Sequence, residues 1–183
     1  RTFADQLTLR KESHPALRRL TDSVHREGAA ASPQLGHCGF FTKIGTTSRP
    51  PLSPSRSFNA YGALRGLSFS RSMTHDEIDE VTEDFVRAAM TAVELGFDAV
   101  ELHLGHGYLL SQFLSPATNK RRDAYGGSLA GRMKLPVEIV RRVRDSLPRP
   151  VAVLAKTNLD DGFSGGLKIE DSVRIAEGLE GAG

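Results

Sequence analysis

The sequence predicts an α/β fold with parallel strands, part of a TIM-type (β/α)8 barrel that contains about three of the eight β/α units. Helical and strand patterns alternate along the chain, and each helix passes to the next strand in a few residues. The segments after the strands are long and run 37–73, 105–127 and 157–168. Because the loops after the strands form the functional face of such a barrel, we expect the site there.

The length of the chain limits how much of a barrel it can form. Its 183 residues suffice for one domain with a core, but an eight-stranded barrel typically takes about 250 residues, and only three strands are predicted. We therefore interpret residues 1–183 as a single, incomplete barrel domain. Its outer strands would have unpaired edges, which favour either a homo-oligomer or low stability.

The first predicted helix begins after Ser13, a suitable N-cap, and ends at Gly28. A weak strand over 29–36 follows, and Pro33 interrupts it because proline cannot donate to a strand ladder. In the next segment, residues 45–57 are rich in Ser, Pro, Thr and Arg and indicate either a functional loop or a disordered insertion. The inward residues of the helix are predicted to be Leu17, Leu20 and Val24.

The second predicted helix has the clearest pattern. Thr74 and Glu77 have the spacing of a capping box, and Gly96 ends the helix. Strand 98–104 follows at once. The apolar stripe of the helix comprises Ile78, Val81, Phe85, Ala88, Ala89 and Ala92.

A third unit begins with Ser128 as N-cap of a helix that runs to Leu147, and it continues into the strand 151–156. A last helix spans about 169–180. The apolar residues of the first of these helices are Met133, Leu135, Ile139, Val140 and Val143. The inward residues of the last are predicted to be Val173, Ala176 and Leu179.

Composition excludes several classes of function. Lysine and arginine number 24 against 22 aspartates and glutamates, so we expect no nucleic-acid partner, and the run 120–122 (Lys-Arg-Arg) is interpreted as a solvated loop. The single cysteine, Cys38, is expected to be a buried structural thiol and cannot form a disulfide within this chain. No apolar run approaches a membrane span and residues 1–6 lack a signal-peptide core, so we expect a cytoplasmic protein without membrane association.

The strand 98–104 and the turn after it contain the candidate catalytic residues. Apolar residues alternate with others along the strand, so that Glu101 and His103 share its inner face. His106 and Tyr108 follow in the loop, where β/α barrels keep their chemistry. The three side chains His103, His106 and Tyr108 can donate hydrogen bonds into one opening. Taken alone, a histidine or tyrosine near a strand end is more often a structural residue, and that alternative stays open.

A longer stretch, residues 103–132, resembles the signature of the old yellow enzyme family of flavin-dependent ene-reductases and NADH:flavin oxidoreductases. It reads HLGHGYLLSQFLSPATNKRRDAYGGSLAGR and contains the His-x-x-His pair, Gly-Tyr-Leu, Gln-Phe-Leu and Tyr-Gly-Gly-Ser elements of that family. The flanking segments 34–39 (QLGHCG) and 155–163 (AKTNLDDGF) are also similar. The resemblance implies that the first two and last three barrel strands, with the loops that hold the flavin phosphate, are not in this chain.

The resemblance assigns roles residue by residue. His103 and His106 would hydrogen-bond a substrate carbonyl oxygen, as an oxyanion hole does, and Tyr108 would donate the proton. Gln34 would bind the pyrimidine end of the FMN ring, and Lys156 would place a positive charge near its N1–C2 carbonyl. Two departures accompany these matches. Many members have arginine at the position of Lys156; lysine keeps the charge but loses the planar fork, which bears on the flavin potential. Many also have arginine at the position of Phe40, and its loss bears on how the loop 37–73 is anchored.

The predicted function is an FMN-dependent NAD(P)H oxidoreductase that reduces an activated alkene or a related small-molecule electrophile. One alternative is a truncated, non-catalytic fragment that does not hold FMN by itself. Another is an aldolase-type barrel in which Lys156 forms a Schiff base, if an apolar pocket surrounds it. A zinc site at His103 and His106 has weaker support, because the spacing is not that of a helical pair and no third ligand is evident. The substrate and the choice between NADH and NADPH stay open.

Overall fold

The computed structural model describes residues 7–42, 50–58 and 69–183. Residues 1–6, and 45–49 of the Ser- and Pro-rich segment, therefore lie outside the described part. The helices are α1 (His14–Arg26), α2 (His75–Glu94), α3 (Leu109–Leu114), α4 (Leu129–Ser146) and α5 (Ile169–Glu180). The strands are β1 (Gln34–Leu35), β2 (Leu52–Ser53), β3 (Arg71–Ser72), β4 (Ala99–Leu104) and β5 (Ala152–Thr157).

The main sheet has the order β1-β4-β5, and all of its strands are parallel, which confirms the predicted α/β class. The register places Gln34 beside Glu101 and His103 beside Lys156. β1 is shorter than predicted, yet the chain before it still pairs with β4, because the carbonyl of Pro33 accepts the Glu101 N–H at 3.0 Å. Strands β2 and β3 form a second parallel sheet, so that part of the 45–57 segment is ordered.

Strand β4 is the central strand of the main sheet, and one of its faces is fully apolar. Val100, Leu102 and Leu104 are each 0% exposed, and α2 and α4 pack against each other near them. Burial of each such side chain contributes about 1.5–3 kcal/mol. The opposite face contains Glu101 and His103, as predicted, so the apolar face fixes the direction in which these polar side chains point.

Local sequence signals set both ends of α2 and the start of α4 as predicted, whereas Ser13, the predicted N-cap of α1, makes no capping bond and donates its hydroxyl to the Arg10 carbonyl at 2.8 Å. Thr74 and Glu77 form the capping box at the start of α2, and Gly96 ends that helix with a φ of 92°. Ser128 caps α4 by accepting the Gly131 N–H at 3.2 Å. These contacts lie within three residues along the chain, which is why the sequence alone predicts them.

The predicted inward faces of α1 and α5 are wrong in part. Leu20 is 52% exposed, and Thr21 is buried in its place with its hydroxyl donating to the Leu95 carbonyl at 2.7 Å. On α5, Val173 is 53% exposed and Ala176 is exposed, whereas Ser172 is buried. The remaining buried residues of α5 are Ile175 and Leu179. A prediction from hydropathy assigns Ser and Thr to the exposed face of a helix, but a side-chain hydroxyl that donates to a backbone carbonyl is readily buried.

Helix α3 was not predicted, because the segment 105–127 reads as a loop. All six of its residues are buried, so the sequence has no polar face from which a helical period is read. Its last carbonyl, that of Leu114, accepts the Nε–H of Arg132 on α4 at 2.8 Å. α3 therefore closes the core directly beneath the turn that follows β4.

The run 120–122 is only partly the solvated loop that was predicted. The Arg121 side chain is 8% exposed and donates to the carbonyls of Pro54 at 3.0 Å and Met73 at 2.7 Å. Its hydrogen bond to Asp123 is the main reason that the pKa of this carboxyl lies well below its usual value. Arg121 thus joins the β2–β3 sheet to the 119–127 loop. Within the described ranges, no helix is long and apolar enough to cross a membrane.

Candidate active site

The turn after β4 brings the three predicted catalytic side chains together. The Nε2 atom of His103 lies 3.3 Å from Nδ1 of His106, and the ring centroids of His103 and Tyr108 are 4.9 Å apart at an angle of 89°. The turn depends on left-handed backbone at two successive positions, His106 with a φ of 57° and Gly107 with a φ of 71°. This geometry turns the chain back so that Tyr108 faces the strand residue His103.

His103 is the buried member of this group, with 4% of its surface exposed. Burial is the main cause that lowers its pKa, followed by repulsion from His106, and both favour the neutral imidazole. Its Nδ1 atom is buried and has no hydrogen-bond partner among the residues that the structure describes. A buried polar atom without a partner is costly, and such atoms are frequent where a ligand binds.

Gln34 and Lys156 flank His103 on the same face of the sheet, because each lies at a paired position next to β4. The Gln34 Nε2 amide donates to the Glu101 carboxylate at 2.5 Å. Since the carboxylate accepts only, the amide nitrogen is held toward Glu101 and the Gln34 carbonyl oxygen is left to accept from a ligand. Both Gln34 and Lys156 are exposed. The face therefore presents a hydrogen-bond acceptor on β1 and a cation on β5, on opposite sides of the strand that contains the buried imidazole.

Gln112 is a site residue that the sequence reasoning missed. It is 1% exposed, its Nε2 donates to the Gly107 carbonyl at 2.6 Å, and its Oε1 accepts the Phe40 N–H at 3.4 Å. It therefore joins the loop after β1 to the turn after β4. A Cβ at Gly39, where φ is 59°, would lie 2.3 Å from the same amide, so this position requires glycine. The available signal was a polar residue within the apolar run of α3.

His37 also orders the loop after β1. Its Nδ1 accepts the Gly39 N–H at 3.1 Å, and its carbonyl accepts the Leu109 N–H at 2.9 Å. The neighbouring Cys38 is buried, as predicted. Phe41 places its ring centroid 6.3 Å from that of Tyr108, so an aromatic side chain borders the site.

The titration of His37 gives a testable pH dependence. Burial is the main cause that lowers its pKa from 6.5 to about 4. The unfolded chain then binds the proton more readily, so stability is complete above pH 6.5 and falls as the pH decreases toward 4, by about 2–3 kcal/mol from this residue. Urea unfolding at several pH values measures the loss. His37→Asn keeps an acceptor for Gly39 without titrating and should flatten the profile; an unchanged slope would contradict the assignment.

A cavity of about 440 Å³ adjoins these residues. It is lined on the sheet side by Gln34, Gly36, His37, His103 and Tyr108, and on the other side by α2. A larger, open groove of about 880 Å³ lies along α4 and α5 and includes none of the site residues. We place the site at the smaller cavity because the buried imidazole and the tyrosine converge there.

Two alternatives meet the geometry less well. Lys156 is exposed, whereas a Schiff-base lysine needs an apolar pocket that desolvates its amine. In the part of the chain covered by the structure, no group of three or more His, Cys, Asp or Glu side chains is arranged to hold a metal ion. The pair His103 and His106 thus has no third ligand of these types in that part.

Comparisons with known proteins give a consistent result. The sequence profile of the "NADH:flavin oxidoreductase / NADH oxidase family" matches residues 1–178. The chain is 43% identical over 185 residues to 4,4'-dithiodibutanoate disulfide reductase of Rhodococcus erythropolis, with 100% of this chain and 44% of the relative covered. It is 38% identical over 173 residues to an NADPH dehydrogenase of Listeria monocytogenes, with 94% and 48% covered. The chain thus spans about half the length of these curated relatives.

Solved structures show the same architecture. One is a complex of 2-naphthoyl-CoA reductase, with a TM-score of 0.84, 29% identity, and 94% of this chain and 28% of that chain covered. An old yellow enzyme homologue from Zymomonas mobilis has a TM-score of 0.82 and 26% identity, with 95% and 51% covered. Morphinone reductase in complex with tetrahydroNAD has a TM-score of 0.81 and 26% identity, with 94% and 52% covered.

Proposed function

Because this chain belongs to the NADH:flavin oxidoreductase / NADH oxidase family, whose members use FMN with NAD(P)H, we propose that the whole protein is an FMN-dependent NAD(P)H oxidoreductase that reduces an activated alkene or a related electrophile. In the same proposal, the chain contributes about three of the eight β/α units of a TIM-type barrel. The observation that supports it best is the convergence of His103, His106 and Tyr108 on the face that also presents Gln34 and Lys156.

The residues of this face fit FMN. The isoalloxazine pyrimidine has an N–H donor, which the outward carbonyl oxygen of Gln34 would accept. Lys156 would place its cation where negative charge collects on the reduced ring. The buried Nδ1 of His103, on the strand between β1 and β5, has no hydrogen-bond partner in the described part of the chain. When bound, FMN supplies the hydride.

The chain's own residues would then bind the substrate and supply the proton. The 3.3 Å contact between Nε2 of His103 and Nδ1 of His106 occupies one ring nitrogen of each residue. A substrate carbonyl oxygen bound between the rings would take the place of this contact and accept from both histidines, and both donors would then stabilise the negative charge that develops on it. Tyr108 would donate its phenolic proton to the α-carbon, which balances the hydride received at the β-carbon.

A disulfide is a second candidate substrate, because the Rhodococcus relative is named for one. A disulfide accepts a hydride equivalent and a proton and gives two thiols.

The experiment loads the full-length protein with FMN, reduces it anaerobically with NADH or NADPH, and mixes it with cyclohexenone or with 4,4'-dithiodibutanoate. We expect the enone to reoxidise the flavin rapidly, and the return of oxidised-flavin absorbance measures the rate. Reoxidation by the disulfide alone would overturn the alkene proposal, and a full-length protein that takes up no FMN would overturn the flavin-dependent function as a whole.

The Lys156 assignment has a test of its own. Lys156→Ala should lower the two-electron midpoint potential of the bound flavin, by on the order of 30 mV for a loss of about 1.4 kcal/mol in the preference for reduced FMN. Lys156→Arg is the matched control, because it keeps the charge and should keep the potential. A dithionite titration against a reference dye measures both. Equal potentials in the alanine and lysine proteins would remove Lys156 from the flavin site.

A further inference from the structure

The conformation of His106 needs support from outside its own turn. Among residues 7–42, 50–58 and 69–183, it is the single non-glycine residue with a positive φ, at 57°. An L-residue is disfavoured in this region, and such residues persist where the surroundings hold them. His106 is also exposed, and its ring contacts the neighbouring His103 at 3.3 Å without being enclosed by the core.

A restraint on the backbone itself comes from Asn158, which follows directly after β5. Its Oδ1 accepts the backbone N–H of His106 at 2.9 Å. The neighbouring Gly105 approaches the same oxygen so closely that a Cβ there would lie 3.0 Å from it. The amide of Asn158 therefore holds the turn at its most strained residue, across 52 positions of sequence.

Asn158 is itself held in one orientation. Its Nδ2 donates to Oδ1 of Asp161 at 3.3 Å, so its carbonyl oxygen faces His106. The other oxygen of Asp161 accepts the Ser115 hydroxyl at 2.6 Å and the Leu167 N–H at 2.8 Å. Because Ser115 ends α3, this chain of hydrogen bonds runs from the core beneath the site to the turn that presents His106.

We propose that Asn158 is a positioning residue for His106: it holds the left-handed turn, and through it the imidazole, in the place where both histidines reach one ligand oxygen. The inference rests on the proposed function, in which His106 binds the substrate carbonyl. It also couples the strand that contains Lys156 to the turn of β4, since Asn158 lies two residues after that lysine.

The first test is amide hydrogen exchange at His106, measured by NMR on the full-length protein. Asn158→Ala should speed this exchange by about three- to tenfold, the effect of one lost hydrogen bond. Phenol serves as the probe ligand, because its oxygen can accept from both histidines in place of the substrate carbonyl. Titrated into FMN-loaded Asn158→Ala, it should bind about three- to tenfold more weakly than to the wild type, while FMN affinity stays unchanged. Lys168→Ala, which removes an exposed partner of Asp160 in the same loop, is the matched control and should change neither.

A double-mutant cycle separates this inference from the proposed function. If Asn158 acts through His106, Asn158→Ala should no longer weaken phenol binding in a His106→Ala background. Gly105→Ala crowds the Asn158 oxygen and should weaken phenol binding in the same direction, to a smaller degree. A defect of Asn158→Ala that persists without His106, or unchanged exchange at residue 106, would overturn the positioning role. Unchanged phenol affinity in His106→Ala itself would instead overturn the proposed function of that histidine.

Discussion

Replacing Tyr108 with phenylalanine should leave reduction of the flavin by NAD(P)H intact and slow its reoxidation by an enone by about two to four orders of magnitude. The substitution keeps the ring that packs edge-on against His103 and near Phe41, so the shape of the site is preserved. The substitution removes the phenolic proton donor. Stopped-flow measurement of the two half-reactions, each followed by flavin absorbance, separates the two steps.

A second tyrosine provides the control for this experiment. Tyr125 lies outside the site, where its ring faces His75 and the Lys134 ammonium, and Tyr125→Phe should leave both half-reactions unchanged. If Tyr108→Phe slowed both half-reactions equally, the residue would not be the proton donor. The structural reading of His103, His106 and Tyr108 would then be preferred.

Removing either histidine should affect binding as well as turnover. His103→Ala or His106→Ala deletes a donor to the carbonyl oxygen, and loss of one such donor typically costs about two to three orders of magnitude in kcat. Because the donors act in the ground state too, carbonyl ligands and phenols, whose oxygen atoms accept hydrogen bonds, should also bind more weakly. Ligand titration of the oxidised flavin spectrum measures affinity, and steady-state kinetics measures turnover.

The buried position of His103 calls for a second variant. His103→Ala also leaves a cavity beside the sheet, so loss of activity there can reflect the fold; His103→Gln fills the site better and keeps a side-chain donor. His106 is exposed, so His106→Ala should lower the unfolding temperature less than His103→Ala does. Phenol affinity that is unchanged in both alanine variants would contradict the assigned roles.

The sequence alone determined those features whose causes lie within a few residues. The capping box of Thr74 and Glu77 and the cap at Ser128 depend on contacts three residues apart, and both are confirmed. The alternation along β4 predicted which side chains enter the apolar core, because successive side chains of a strand point to opposite faces and only one face of β4 is apolar in sequence. The stretch 103–132 indicated the family, and the turn after β4 brings the polar side chains of His103, His106 and Tyr108 together.

Only the tertiary structure decided what depends on contacts between distant residues. Thr21 is buried instead of Leu20 because its hydroxyl reaches Leu95, 74 positions away, and no local pattern encodes that partner. Arg121 is withdrawn from solvent because the β2–β3 sheet offers it carbonyl groups. The left-handed turn at His106 is held by Asn158 across 52 positions. Side-chain hydrogen bonds to backbone are specific in space but not in sequence, so these roles emerge only when the strands are assembled.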